Sequence, residues 1–409
     1  MSLDERTRPR TLQLSTIGSR TPVQRDRAID GLRALALLAV PTGHWLIGGF
    51  VRDPDTSLHN ASPLSTFAPL APITWVLQML GIFFLVGGYA SVQSFRRAAE
   101  RGEPTGRWVR GRLARLLRPA VGVTAVWALL APLLYVAGVP ETTIHTAATL
   151  VVQPLWFVCV YAVVTVLTPY CMAANRRLGA WAAAPLVATI AIVDFLRYGP
   201  FADSIPYWVG LISLFPGWMF AYQLGVSWGE KRLGRRGAWL LLLGGAALFA
   251  VLLLVFHYPA SMVGVPGQDR TNSHPPSLLV IALAAAQSGA AILLRDRIAA
   301  LLERPVLWAP VTAVNASAMT ILCWHQTAMV AAALPASYLG AVHGLTTSPD
   351  FAAWMLTRLP WLPLFAAILI LIAQVTRRFE LPWTGVTRTT RILAGGLAVG
   401  FSAFALYLL

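Results

Sequence analysis

Arg27-Ala28-Ile29-Asp30-Gly31-Leu32-Arg33-Ala34-Leu35-Ala36-Leu37-Leu38-Ala39-Val40-Pro41-Thr42-Gly43-His44 is an apolar run that carries ionisable side chains near both ends. No charge stands between Arg33 and His44. As a helix rising about 1.5 Å per residue, eleven steps separate the two by roughly 16 Å. They are about three turns apart, so both point to much the same face. Pro41 is expected to bend the helix just before His44. Inside a membrane such residues are costly to keep and are functional candidates by default.

The rest of the chain says that a membrane is the right setting. Of its 409 residues 56% are hydrophobic and only 12% charged, where a soluble chain carries about a quarter charged. Lipid must be the solvent for much of the surface, and in lipid the backbone has to be helical or a closed barrel. Barrel strands are about ten residues long and alternate. Here the apolar runs are continuous and about twenty residues long, which is the length of a spanning helix. The expected fold is an all-α polytopic transmembrane bundle of about eleven spans. They lie near residues 31–51, 70–95, 116–137, 147–169, 179–196, 208–226, 236–256, 275–294, 308–333, 360–377 and 389–408.

With the N-terminus in the cytoplasm, inner segments hold 28 of the 32 Lys and Arg, and the outer loops hold Arg52, Arg197, Arg270 and Arg358. That asymmetry sets the orientation. It also reads the net charge of +15 as a cytoplasmic face rather than a nucleic-acid surface. Residues 1–24 read as a disordered basic cytosolic tail without a signal peptide. Cys159, Cys171 and Cys323 read as small core residues. The bias toward Ala, Arg, Gly and Trp suggests a GC-rich bacterium, which places the chain in a bacterial inner (cytoplasmic) membrane.

A second cluster, Arg107-Trp108-Val109-Arg110-Gly111-Arg112-Leu113-Ala114-Arg115-Leu116-Leu117-Arg118-Pro119, follows the second span. Arg112, Arg115 and Arg118 at three-residue spacing are expected to share a helix face, and a row of guanidinium groups suits phosphate. His325 is the other histidine clearly within a span. His257, His274 and His343 fall in outer loops without zinc-ligand spacing, and no metal is expected. Asp194 is expected to pair with Arg197, and Glu380 with Arg377 or Arg378. Gln78 and Ser317 are read as structural hydrogen-bonding groups.

These residues together carry a resemblance. Asp30-Gly31-Leu32-Arg33 followed by His44, the Phe83-Phe84-Leu85-Val86-Gly87-Gly88-Tyr89 segment, Arg112 and Arg115 before Pro119, Leu155-Trp156-Phe157 with Tyr161, Trp324-His325 and Glu380-Leu381-Pro382 match in order. The chain resembles the acyltransferase-three family of integral-membrane acyltransferases, which includes surface-polysaccharide O-acetylases and antibiotic acyltransferases. It departs from that family at Gly87, where Ser is usual, and at Ile321 and Leu322, where a Tyr is usual.

The resemblance implies a ten-span core over residues 25–382 and an additional C-terminal helix over 383–409. It implies transfer of an acyl group from cytoplasmic acyl-CoA to a hydroxyl of a carbohydrate or glycosylated natural product. Arg112, Arg115 and Arg118, with Arg33, would hold the phosphates of acyl-CoA. His44 would act as general base or take the acyl group itself, with Arg33 and Asp30 beside it; Asp30 has the blander alternative of simply pairing with Arg33. His325, Trp324, Trp156 and Tyr161 are candidates for the acceptor side; for His325, Trp156 and Tyr161 the alternative is packing within the bundle. Two other classes share these features: a transporter or flippase for an acyl donor or lipid-linked sugar, and a scaffold subunit of an envelope-assembly complex.

Overall fold

The computed structural model describes residues 26–200, 202–265, 271–350, 353–376 and 387–407. The tail over 1–24 and the segment around Glu380 lie outside them. The described chain is helical, apart from one antiparallel hairpin. In order it comprises α1 (Arg27–Ile47), the strands β1 (Gly49–Arg52) and β2 (Leu58–Ala61), α2 (Ile73–Leu77), α3 (Leu80–Glu100), α4 (Thr105–Val136), α5 (Glu141–Val152), α6 (Trp156–Val166), α7 (Thr168–Leu178), α8 (Ala184–Tyr198), α9 (Leu214–Gly229), α10 (Arg235–Leu254), α11 (Leu278–Leu301), α12 (Pro305–Ala316), α13 (Ala318–Leu339), α14 (Trp354–Arg358), α15 (Trp361–Thr376) and α16 (Arg388–Tyr407).

Among the described residues eight helical segments are long and apolar enough to cross a membrane, or nine if α12 and α13, bent by 77° at Ser317, count as one. α1 and α16, of 21 and 20 residues, have the length of a span but are not among these. Ser317, expected as a structural polar group, sits at this bend as the N-cap of α13.

α1 is fixed at both ends. At its start Asp26 accepts a hydrogen bond from Ile29 N and receives Tyr89 Oη at 3.2 Å and Arg295 Nη2 at 2.9 Å, tying the helix to α3 and α11. At its end, where helix carbonyls lose their partners, Arg358 supplies them. Its Nε donates to Trp45 O at 2.7 Å, Nη2 to Gly48 O at 3.2 Å and Nη1 to Gly344 O at 2.8 Å. Arg358 was expected in an outer loop; it is fully buried at the end of α14. The correction has a physical reason, since a cation is favoured at a helix C-terminus and its cost of burial is offset by several carbonyls.

α3 and α9 touch backbone to backbone. A Cβ on Gly88 would overlap the carbonyl of Tyr222, and one on Gly225 the carbonyl of Leu85. Small residues are how helices in lipid approach this closely. Cys171 and Cys323 are buried as read, whereas Cys159 on α6 is exposed.

Candidate active site

Three residues meet beside the second half of α1. His44 Nδ1 lies 2.8 Å from His325 Nε2 on α13, and the amide of Gln326 is 3.1 Å from the same His44 nitrogen. The other ring nitrogen of His325 faces the carbonyl oxygens of Leu322 at 2.9 Å and Ile321 at 3.3 Å. A carbonyl accepts and cannot donate, so His325 Nδ1 carries a proton and, in the neutral ring, Nε2 has the lone pair. His44 Nδ1 must then be the donor between the two rings, and His44 Nε2 is left as a free lone pair. Gln326 fits this tautomer when its oxygen, otherwise buried without a partner, is turned toward His44 Nδ1. Trp45 Nε1 donates to His325 O at 3.0 Å and fixes α13 against α1.

His44 lines a cavity of about 500 Å³ at the C-terminal end of α1. Its walls come from α1, α2, the end of the β-hairpin at Asn60–Ser62, α6 and two pieces of the segment between α10 and α11. That segment places His274 in the cavity wall. Trp156 lines the cavity too, and the His274 ring stands edge-on to it with centroids 4.5 Å apart. Gln78, expected as a structural polar group, donates to Ser273 Oγ at 2.9 Å and also lines the wall.

The opposite end of α1 is charged. Arg33 Nη1 is 3.2 Å from Asp30 Oδ1, and the carboxylate is buried. Arg112 on α4 lies over the Trp108 ring, and its Nε is buried without a hydrogen-bond partner among the described residues. Arg33, Arg115, Tyr161 and Tyr222 are all close enough to act on it electrostatically. Arg115 is exposed and Arg118 half-buried. The expected single face is therefore split. Three residues turn a helix through about 300°, so each step slips about 60°, and Arg115 has rotated toward solvent.

A family model described as an acyltransferase domain matches residues 26–378. The chain belongs to that acyltransferase family. No curated protein and no solved structure matches it.

Within this acyltransferase the residues singled out from sequence fall into two groups. His44, His325 and Trp156 meet around the cavity. Asp30, Arg33, Arg112 and Tyr161 gather at the other end. Tyr161, expected on the acceptor side, is not among the residues lining the cavity; it packs against Phe83, Phe84 and Phe157 within reach of both Arg33 and Arg112. Trp324 is buried and likewise not a wall residue. Asp194, expected to pair with Arg197, accepts from Tyr258 Oη and from Leu278 N at the start of α11. Sequence reasoning passed over Gln326 and His274. For Gln326 a signal existed, because a polar side chain beside a histidine within a span is rare and costly.

Proposed function

We propose that the protein is an O-acyltransferase that moves an acetyl or other short acyl group from cytoplasmic acyl-CoA to a hydroxyl of a carbohydrate or glycosylated natural product. The observation that carries this reading is the division of α1. Arg112, half-buried and with its Nε enclosed without a hydrogen-bond partner among the described residues, stands with Arg33 near one end, and an imidazole with a free Nε2 lines a cavity at the other. An unpaired buried cation is expensive, and a phosphate of CoA would relieve it with charge-assisted hydrogen bonds. Arg115, which is exposed, and Arg118 further along the same helix would add to the phosphate site.

The pantetheine arm carries the thioester along the bundle toward His44. The acceptor hydroxyl enters from the cavity end. His44 Nε2 takes the hydroxyl proton as the oxygen attacks the thioester carbonyl, and His325 Nε2 stabilises the imidazolium through His44 Nδ1–H. The tetrahedral intermediate collapses, the C–S bond breaks, and the thiolate leaves with the proton that His44 held. One ester and one thiol result from one thioester and one alcohol. In this reading α1 and α16 join the nine apolar segments as spans, giving eleven. The N-terminus is cytoplasmic, the membrane is the bacterial cytoplasmic one, and residues 383–409 are an addition to a core over 25–382.

Thermal unfolding of the detergent-purified protein with acetyl-CoA, longer acyl-CoAs and free CoA tests the donor. A ligand that binds only the folded state raises the midpoint. Stabilisation by an acyl-CoA that disappears in Arg112→Ala/Arg115→Ala is the expected result. No shift with any CoA species at millimolar concentration would favour a transporter of an acyl donor or lipid-linked sugar.

A further inference from the structure

Between α10 and α11 the described residues, 255–265 and 271–277, fold against the bundle. Asn272 is fully buried and is their hub: Nδ2 donates to Pro259 O at 2.6 Å and Ser261 O at 2.8 Å, and Oδ1 accepts from Ser277 Oγ at 2.6 Å. Ser273 Oγ donates to Met262 O. The folded segment is docked on α2, where Trp75 Nε1 donates to Ala260 O at 2.6 Å and Thr74 Oγ1 accepts from Met262 N at 2.9 Å. All of these bonds fix the backbone on either side of His274, yet neither ring nitrogen of His274 has a hydrogen-bond partner among the described residues. The ring is accessible, and what it faces is the cavity. A side chain held this firmly with both polar atoms unspent is placed to meet a ligand.

We propose that His274 is the acceptor-binding residue of this cavity, and that the acceptor it holds is an uncharged polyol such as a neutral sugar. The proposal rests on the acyltransferase reading of the same site and adds to it the residue and the charge class. Surrounding protein lowers the His274 pKa to about 4, so the ring is neutral near pH 7 and offers one N–H donor and one lone pair. A sugar hydroxyl, which both donates and accepts, matches that pair. His274 and His44 line the same cavity, so an acceptor held by the first lies in the space that the second faces. The described wall contains no Asp, Glu, Lys or Arg; its polar groups are amides and hydroxyls such as Asn60, Ser62, Gln78 and Gln153, with Trp156 as an apolar face. A carboxylate or phosphate on the acceptor would lose its hydration there with no counter-charge among the described residues.

The test uses the full-length protein in detergent with acetyl-CoA, following CoA release with methyl β-glucoside or methyl β-glucuronide added. These share the hydroxyls at positions 2 to 4, and the second carries a carboxylate. The wild type is expected to accelerate with the glucoside and to use the glucuronide at least about tenfold less well. His274→Ala should raise KM for the glucoside about tenfold or more, while KM for acetyl-CoA stays within about twofold. His274→Gln, which keeps a donor and an acceptor, should recover most of the loss; a merely structural role would not show this split. An unchanged glucoside KM in His274→Ala, or equal use of the glucuronide, overturns the proposal. Release of CoA to water with no response to uncharged methyl glycosides also overturns it and leaves the acyltransferase reading standing. No CoA release at all removes that reading and the proposal with it.

Discussion

The two ends of α1 belong to one helix and are built for opposite chemistry. At the Arg33 end the groups are charged, and Arg112 is short of hydrogen bonds. At the His44 end the described cavity wall is uncharged, and every polar bond around the catalytic candidate is between neutral groups. A phosphate ligand suits the first and is penalised in the second. In the proposed mechanism the difference would let one bundle hold a polyanionic donor and a neutral acceptor without exchanging them, and His44 is its largest target. His44→Ala should lower acyl transfer by roughly 10²-fold to 10⁴-fold, the range for a lost general base, with membrane abundance and the acetyl-CoA thermal shift unchanged. Retained transfer would break the comparison at its centre.

The next effect falls on the ring behind it. His325 is not among the residues lining the cavity, and in the proposed mechanism it accepts from His44 Nδ1 so that Nε2 can act as the base. His325→Ala should cost about 100-fold in kcat, less than loss of the base itself, with little change in KM for either substrate. His325→Gln can place an amide oxygen where Nε2 was and should regain part of the rate. A mutant that instead loses acetyl-CoA affinity would put His325 at the donor end.

How much of this was legible depends on the range of the contacts. The Asp30–Arg33 pair is one helical turn, and the alignment of Arg33 with His44 is a matter of period, so α1 could be read from its own residues. Arg112 could be picked out as well, but not its separation from Arg115, because the groups near Arg112, Tyr161 and Tyr222 among them, lie on other helices. Arg358 looked like a charge in a loop because its partners, the carbonyls of Trp45 and Gly48, lie more than 300 residues away. His274 was hidden for a similar reason. The Asn272 hub that presents it has no periodicity, and a segment rich in Pro, Ser and Asn reads as solvated until its bonds are seen.

At the donor end the contrast between two arginines gives a smaller and sharper effect. Arg112 is the more buried and Arg115 is exposed. A hydrogen bond to a charged group contributes about 1.5–3 kcal/mol, and an exposed one less. Arg112→Ala should therefore raise KM for acetyl-CoA about tenfold or more, and Arg115→Ala only a few-fold, with the acceptor KM steady in both. Titration of CoA release against acetyl-CoA concentration reads the difference. Equal losses would mean that the phosphate sits on the outer surface and that Arg112 is unpaired for another reason.

The smallest expected effect concerns Gly87, where the family that this chain resembles usually has Ser. A Cβ there would lie 2.6 Å from Tyr161 Oη and 2.7 Å from its Cε2. The ring has little room to yield, since Phe83, Phe84, Phe157 and Tyr222 surround it. Overpacking of this kind costs about 1–3 kcal/mol. Gly87→Ser should lower the unfolding midpoint slightly and weaken acetyl-CoA stabilisation, because the phenol it displaces is within electrostatic reach of both Arg33 and Arg112. Combined with Tyr161→Leu, which vacates the space, the loss should be less than the sum of the two single changes, as expected for residues in contact. Strict additivity would show that the ring moves aside freely. The Arg33 end would then be looser than the cavity end, and the rigid placement of Tyr161 among its aromatic neighbours would have to be given up.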